Sequence, residues 1–228
     1  MITAQTRVVA LLGHPVSHSL SPRMQNAAFA ARALDWAYVA LDVASEDLAA
    51  VVNGLAASQF AGANVTTPHK LAAAELADTE EPSVNTLVFA DGRVRGYSTD
   101  AAILAQFEPP NNAVILGDGG TATAFKSALP DARVFSRRGE WPPDVSAADV
   151  VVNATSERNA VLVELGSGQT LIDLPYPETA TAAAAREAGA TLIDGLEVLV
   201  AQGAASFELW TGVAAPVDVM RAAVRSDA

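Results

Sequence analysis

Apolar runs of strand length alternate with stretches of helical period along almost the whole chain, and that rhythm excludes most folds before any single residue is weighed. Arg7–Leu12 reads as a strand and Pro22–Leu34 as a helix, with Ser21 as its N-cap and Pro22 at its first position. Ala37–Asp42 is a strand, Ser45–Leu55 a helix and Ala61–Val65 a strand, with a further helix after Pro68. Val84–Ala90 and Arg93–Tyr97 flank Asp91-Gly92, a strong hairpin signal, and Thr99–Phe107 has a helical pattern. Pro109-Pro110-Asn111-Asn112 interrupts the rhythm and is the expected linker. Beyond it the pattern restarts: strands at Ala113–Leu116, Arg133–Ser136, Asp149–Asn153, Thr170–Asp173 and Thr191–Ile193, and helices at Thr121–Leu129, Thr179–Ala188, Leu196–Trp210 and Val213–Arg225. Alternation of this kind calls for mainly parallel sheets covered on both faces. The expected fold is α/β and two-lobed, with residues 1–105 in one lobe, 106–210 in the other, and 211–228 returning to the first.

Composition narrows the chemistry. Half of the 228 residues are hydrophobic, enough for a sizeable core. With no cysteine there is no disulfide framework, cysteine-ligated zinc or thiol catalysis, which suits a cytoplasmic protein. A formal charge of −12 argues against nucleic acid or an anionic membrane surface as a partner. The first residues lack the basic start and apolar run of a signal peptide, and no apolar stretch is long enough to span a bilayer. Of the 14 basic residues only Lys70 and Lys126 are lysines. An ammonium can exchange its proton near neutral pH when its surroundings lower its pKa, whereas a guanidinium cannot.

In the second half, Ala113–Leu116 runs into Gly117-Asp118-Gly119-Gly120 and then a helix. Glycines there permit a tight turn and let backbone approach a pyrophosphate at a helix N-terminus, although glycines also end ordinary strands. About 20 residues on, where NAD-binding folds carry an acid for the ribose, the chain has Ser136-Arg137-Arg138. Arginines suit the 2′-phosphate of NADP; a solvated basic turn is the alternative. Asp118 is discordant, a carboxylate where phosphates would lie.

The first half holds three polar motifs. Ser19 and Ser21 straddle a strand-to-helix turn in GHPVSHSLSP, where hydroxyls and helix amides could converge on a carboxylate; as a bare cap, Ser21 would have no such role. GANVTTPHK puts an amide, hydroxyls and the Lys70 ammonium at another strand end. SVNT and GYSTD complete the set. The three histidines, His14, His18 and His69, have no cluster of acids beside them, so no metal site is assigned.

Taken together, HSLSP, NVTTPHK, VNT, GYSTD, the GxGG turn, SRR, NATS, DLPYP and GLEVLVAQGAASFELWTG stand in the order found in shikimate dehydrogenases, and the chain resembles a shortened member of that family from Leu12 to Gly212. The resemblance implies an open α/β substrate domain, a trimmed Rossmann NADP-binding domain and an active-site cleft between them. It implies reversible reduction of 3-dehydroshikimate to shikimate by NADPH, with Lys70 and Asp100 as the catalytic pair. Ser19, Ser21, Asn64, Thr66, Asn85, Tyr176 and Gln202 match substrate-binding positions; Asp100 is also among those that hold the ring hydroxyls. Gly117, Gly119, Gly120, Ser136, Arg137, Arg138, Thr155 and Gly195 match cofactor-binding ones. The expected partner is the small-molecule substrate alone, with a homodimer left open.

The departures are on the cofactor side and in spacing. Only 14 residues separate Lys70 from Asn85, and Gly117 and Asn153 are 36 apart, too close for a full set of helices. Thr123 stands where the family's glycine-turn helix has an arginine, and Val198 where it commonly has Met. Two alternatives stay open: a quinate/shikimate dehydrogenase using NAD, and a non-catalytic relative with weak cofactor affinity.

Overall fold

The first sheet grows outward from β1 (Arg7–Gly13), buried from Val9 onward. Helix α1 (Ser21–Ala31) leads to β2 (Trp36–Asp42) on one side of β1. A 3₁₀ turn at Ser45–Asp47 and α2 (Leu48–Ala56) then lead to β3 (Phe60–Val65) on the other. All three strands are parallel. After α3 (Lys70–Glu75), β4 (Thr86–Ala90) and β5 (Arg93–Tyr97) add antiparallel, joined at Asp91-Gly92 with φ of 54° and 71°, as a tight hairpin of this composition requires. The sheet order is β2-β1-β3-β4-β5.

Ser21 does not cap α1. Leu20 holds the cap position without a side-chain bond, Ser21 lies inside the first turn, and it is the Ser19 hydroxyl that accepts the Ser21 N–H, at 3.2 Å. Residues 99–107 form only a short 3₁₀ turn at Ala102–Gln106.

The second sheet is wholly parallel: β6 (Ala113–Leu116), α4 (Gly120–Ala128), β7 (Arg133–Phe135), β8 (Val150–Asn153), β9 (Thr170–Asp173), α5 (Ala180–Glu187) and β10 (Thr191–Ile193), in the order β10-β9-β8-β6-β7. No helix lies between β7 and β8 or between β8 and β9. Val145, Ala148, Val163 and Leu165 from those loops pack with Val114, Leu116, Phe135 and Leu171 of the strands, doing the covering that a crossover helix would do.

Helix α6 (Gly195–Thr211) and α7 (Val217–Arg225) end the fold, with α7 against α1. The computed structural model describes residues 2–226 and divides into two units: one up to Thr99 and again from Val200, the other Asp100–Leu199. On one face of the first sheet, Ala10, Leu12, Ala63 and Val65 meet Leu48 and Val52 of α2 and Ala73 of α3. On the α6 side Phe29 stacks on Phe207 at 5.4 Å, and Trp210 Nε1 donates to the Leu87 carbonyl at 2.9 Å. Among the described residues no helix is long and apolar enough to cross a membrane.

Candidate active site

In each sheet the strand order reverses once, between β1 and β3 and between β6 and β8. Connections leave such a point in opposite directions, which opens a crevice at the carboxyl ends of the strands. The GHPVSHSLSP and GANVTTPHK motifs leave the carboxyl ends of β1 and β3; the glycine turn and Asn153-Ala154-Thr155 leave those of β6 and β8. All four polar motifs therefore stand at crevices.

The two loops of the first crevice are held close. Thr66 N–H donates to the Leu12 carbonyl at 2.9 Å and His14 N–H to the Thr67 carbonyl at 3.1 Å. A Cβ on Gly13 would strike the Thr66 side chain, so this approach needs glycine. His69 is buried and donates through Nε2 to the Val43 carbonyl at 2.7 Å, which makes it an anchor for the loop and leaves Lys70 as the first, half-buried residue of α3. Ser19 is half-buried beside Ser21, which is buried. At the mouth, His14 Nδ1 and Asp42 Oδ1 are 2.5 Å apart, and this hydrogen bond holds the Asp42 carboxyl below the usual carboxylate range.

Asn85 is the hub of this half. Its backbone N–H donates to the Tyr97 carbonyl and its carbonyl accepts from Val65. The preceding Val84 N–H donates to the Lys70 carbonyl at 3.0 Å. The Asn85 side chain accepts the Thr99 N–H at 2.7 Å and donates to Gln202 Oε1 at 3.2 Å. The Val84-Asn85 pair thus ties the backbone carrying Lys70 to the backbone that runs into Asp100, itself buried. Asn64 is turned inward: Oδ1 accepts from the Tyr38 hydroxyl, and Nδ2 donates to the Asn85 carbonyl, Thr86 Oγ1 and Ser206 Oγ. Both its amide protons have protein partners, and Oδ1, with one donor, keeps a second lone pair. Thr66 is half-buried on the loop, and Gln202 half-buried on α6. Tyr38, Thr86, Thr99 and Ser206 belong to this network; the last three lie in the quoted motifs, and none of the four is among the expected site residues.

The second crevice lies within one unit. Gly117 has φ of +119°, and a Cβ there would lie 3.0 Å from the Ala154 carbonyl oxygen, so the glycine turn rests directly on the loop after β8. Gly119 is extended and a Cβ on it would meet nothing within 4 Å. Gly120 begins α4, with Gly119 at the cap position. A Cβ on Gly195 would strike the Leu174 and Pro175 carbonyls, so the start of α6 is pressed onto the loop carrying half-buried Tyr176. Thr155 donates its hydroxyl to Asn153 Oδ1 at 2.8 Å.

The charges resolve the discord over Asp118. Arg138 grips its carboxylate with two bonds, Nε to Oδ2 at 2.8 Å and Nη2 to Oδ1 at 2.6 Å. That guanidinium, chiefly, with help from Ser136, holds Asp118 below the usual carboxylate range. Ser136 Oγ also accepts the Gly139 N–H, and Arg137 lies 3.6 Å from Glu157. The Arg138–Asp118 pair joins the basic turn to the glycine turn, and the Arg137–Glu157 pair joins it to the loop after β8. Among the described residues no group of three or more His, Asp or Glu could hold a metal ion.

Comparison with known proteins agrees with this geometry. The family model described as the shikimate dehydrogenase substrate binding domain matches residues 11–87, and the one described as the shikimate 5′-dehydrogenase C-terminal domain matches residues 195–225. A shikimate dehydrogenase (NADP+) of Moorella thermoacetica is 40% identical, covering 98% of this chain and 94% of its own. That alignment runs over 278 positions against 228 residues here, so the chain is internally shortened. A crystal structure of a shikimate dehydrogenase in complex with NADP+ matches with TM-score 0.90 at 31% identity, covering 100% of this chain and 97% of that one. The shikimate 5-dehydrogenase of Thermus thermophilus in complex with NADP(H) and shikimate matches with TM-score 0.85 at 30% identity, covering 97% of this chain and 100% of that one.

Proposed function

The chain belongs to the shikimate dehydrogenase family, and we propose on that footing that it is an NADP-dependent oxidoreductase reducing 3-dehydroshikimate reversibly to shikimate, a step of aromatic amino-acid biosynthesis. The observation that carries the reading is the Val84-Asn85 pair, in which Val84 N–H bonds the Lys70 carbonyl and the Asn85 side chain bonds the Thr99 N–H that leads into Asp100. A pair of side chains that must serve one substrate hydroxyl needs that kind of shared anchor.

The second crevice fits NADP. Open space over Gly119 and the N-terminus of α4 suit a pyrophosphate. Arg138 has five N–H donors and gives two to Asp118, so three remain for a 2′-phosphate beside Arg137 and Ser136. Thr155 and Gly195 would line the nicotinamide end. When bound, the reduced cofactor supplies the hydride. Lys70 then hydrogen-bonds the carbonyl oxygen, stabilises the negative charge that grows on it and delivers a proton; Asp100 orients the ammonium and accepts from a neighbouring hydroxyl. Ser19 and Ser21 hold the substrate carboxylate; Asn64, Thr66, Asn85, Tyr176 and Gln202 bind its ring hydroxyls, Asn64 through the second lone pair of its amide oxygen.

The test is NADP+ reduction followed at 340 nm with shikimate and quinate side by side, each repeated with NAD+. Turnover fastest with shikimate and NADP+ is expected. Preference for quinate or NAD+, or no turnover in a folded protein, overturns the assignment.

A further inference from the structure

Asp173 lies at the carboxyl end of β9, only 1% exposed, and the reaction as described gives it no task. Its Oδ1 accepts from Asn153 Nδ2 at 2.7 Å and its Oδ2 from the Thr179 hydroxyl at 2.9 Å. A carboxylate can only accept. The Asn153 amide, itself fully buried, must therefore face Asp173 with its NH₂ and turn its oxygen the other way. That oxygen accepts both the N–H of Thr155, at 3.2 Å, and its hydroxyl, at 2.8 Å. Thr155 Oγ1 in turn accepts the Glu157 N–H at 3.3 Å, so the hydroxyl proton is committed to Asn153 and the rotamer is set. The polarity of the chain from Asp173 to Asn153 to Thr155 runs in one direction only.

We propose that Asp173 is a positioning residue for cofactor binding, acting through the Asn153 amide to fix Thr155 beside the glycine turn. A neutral group could fill the same volume, yet the fold keeps a carboxyl that costs more to ionise here than in water: burial pushes its pKa up, the nearby Asp194 carboxylate adds to this, and the Asn153 and Thr179 hydrogen bonds pull the other way. What a carboxylate supplies that an asparagine does not is a fixed polarity. With asparagine at 173, either end of its amide can face Asn153; the Asn153 amide can then reverse, and Thr155 loses its acceptor.

This rests on the reading of the second crevice as the NADP site, and the experiment separates the two. Steady-state kinetics with NADP+ and shikimate would be run on wild type, Asp173→Asn, Thr155→Val, Thr155→Ser and the double variant Asp173→Asn/Thr155→Val, with folding checked by circular dichroism and thermal melting. Each of Asp173→Asn and Thr155→Val should raise KM for NADP+ about 10-fold and change kcat at saturating cofactor by less than that, and Thr155→Ser, which keeps the hydroxyl, should raise KM less than Thr155→Val. The double variant should lie within about 2-fold of Thr155→Val alone, against the roughly 100-fold expected of independent sites. Additive effects, or a fall in kcat with KM unchanged, overturn the proposal. Should Asp173→Asn fail to fold, an unchanged KM in Thr155→Val, or a Thr155→Ser as impaired as Thr155→Val, overturns it too. A wild type that does not turn over NADP+ at all removes the cofactor reading and this proposal with it.

Discussion

Two glycines of one turn should respond in opposite ways to the same methyl group. At Gly117 an alanine must adopt φ of +119°, a region nearly closed to L-residues, and its Cβ must sit 3.0 Å from the Ala154 carbonyl oxygen and 3.1 Å from its carbon. Strain of this kind costs about 1–3 kcal/mol, and the backbone of residue 154 has no flexible end to swing aside. For a unit of about 100 residues each kcal/mol lowers Tm by roughly 4–8 °C, so the transition of the second unit should fall by about 5–20 °C. At Gly119 the backbone is already extended, φ −86° and ψ −179°, with no atom within 4 Å of the added Cβ. Gly119→Ala should leave Tm unchanged or raise it slightly, because it restricts the unfolded chain.

Cofactor binding separates the two differently. If a pyrophosphate comes up against the open backbone of Gly119, an intruding methyl costs about 1–3 kcal/mol, an increase in KM for NADP+ of about 5- to 150-fold with stability intact. Differential scanning fluorimetry and KM measurements on both variants decide the matter. A Gly119→Ala protein with normal KM would show that the space over the turn is not where the cofactor lies. A Gly117→Ala protein with normal Tm would refute the account of why that residue is glycine.

Lys70→Ala should lower kcat by about 10²-fold or more while raising KM much less, since the ammonium matters most as charge develops on the oxygen; Lys70→Arg should rescue little and Asp100→Asn should also be impaired. Near-normal kcat in a folded Lys70→Ala would end the proposed mechanism. Replacing Arg137 and Arg138 together by neutral residues should erase most of the preference for NADP+ over NAD+, measured as the ratio of kcat/KM values. Because burial raises the Asp173 pKa in the folded state, the native protein takes up that proton before the unfolded chain does. As pH falls from 7 toward the ordinary aspartate pKa of about 3.9, the wild type should gain stability relative to Asp173→Asn. Urea unfolding at pH 7 and pH 5 checks this, and an unchanging gap between the two proteins counts against it.

The elements were legible because each is written locally. Strand and helix periods, the Asp91-Gly92 turn and the glycines after β6 depend on neighbours within a few residues, and they also locate the strand ends where ligands bind. Helix ends were less legible: Ser21 looks like a cap, but with Ser19 two residues earlier the better acceptor for its own N–H belongs to the other serine. The apolar residues of the loops around β8, such as Val145 and Leu165, have no period to announce them, although they cover the sheet as a helix would.

What sequence could not assign is the direction in which a polar residue faces. Asn64 sits on β3 in a motif full of hydroxyls, and nothing near it in sequence announces that Ser206, 142 residues later, and Tyr38 orient its amide. Asp118 reads as an error in a phosphate turn until Arg138 arrives from the end of β7 and neutralises it. In both cases the deciding partner comes from another element, which only the fold brings alongside. The reversal of that order between β6 and β8 brings the glycine turn and the Asn153–Thr155 loop together, and a buried Asp173 one strand further out can then set the polarity of the loop. A carboxylate at the end of a strand acquires a function here because of which strand lies beside it.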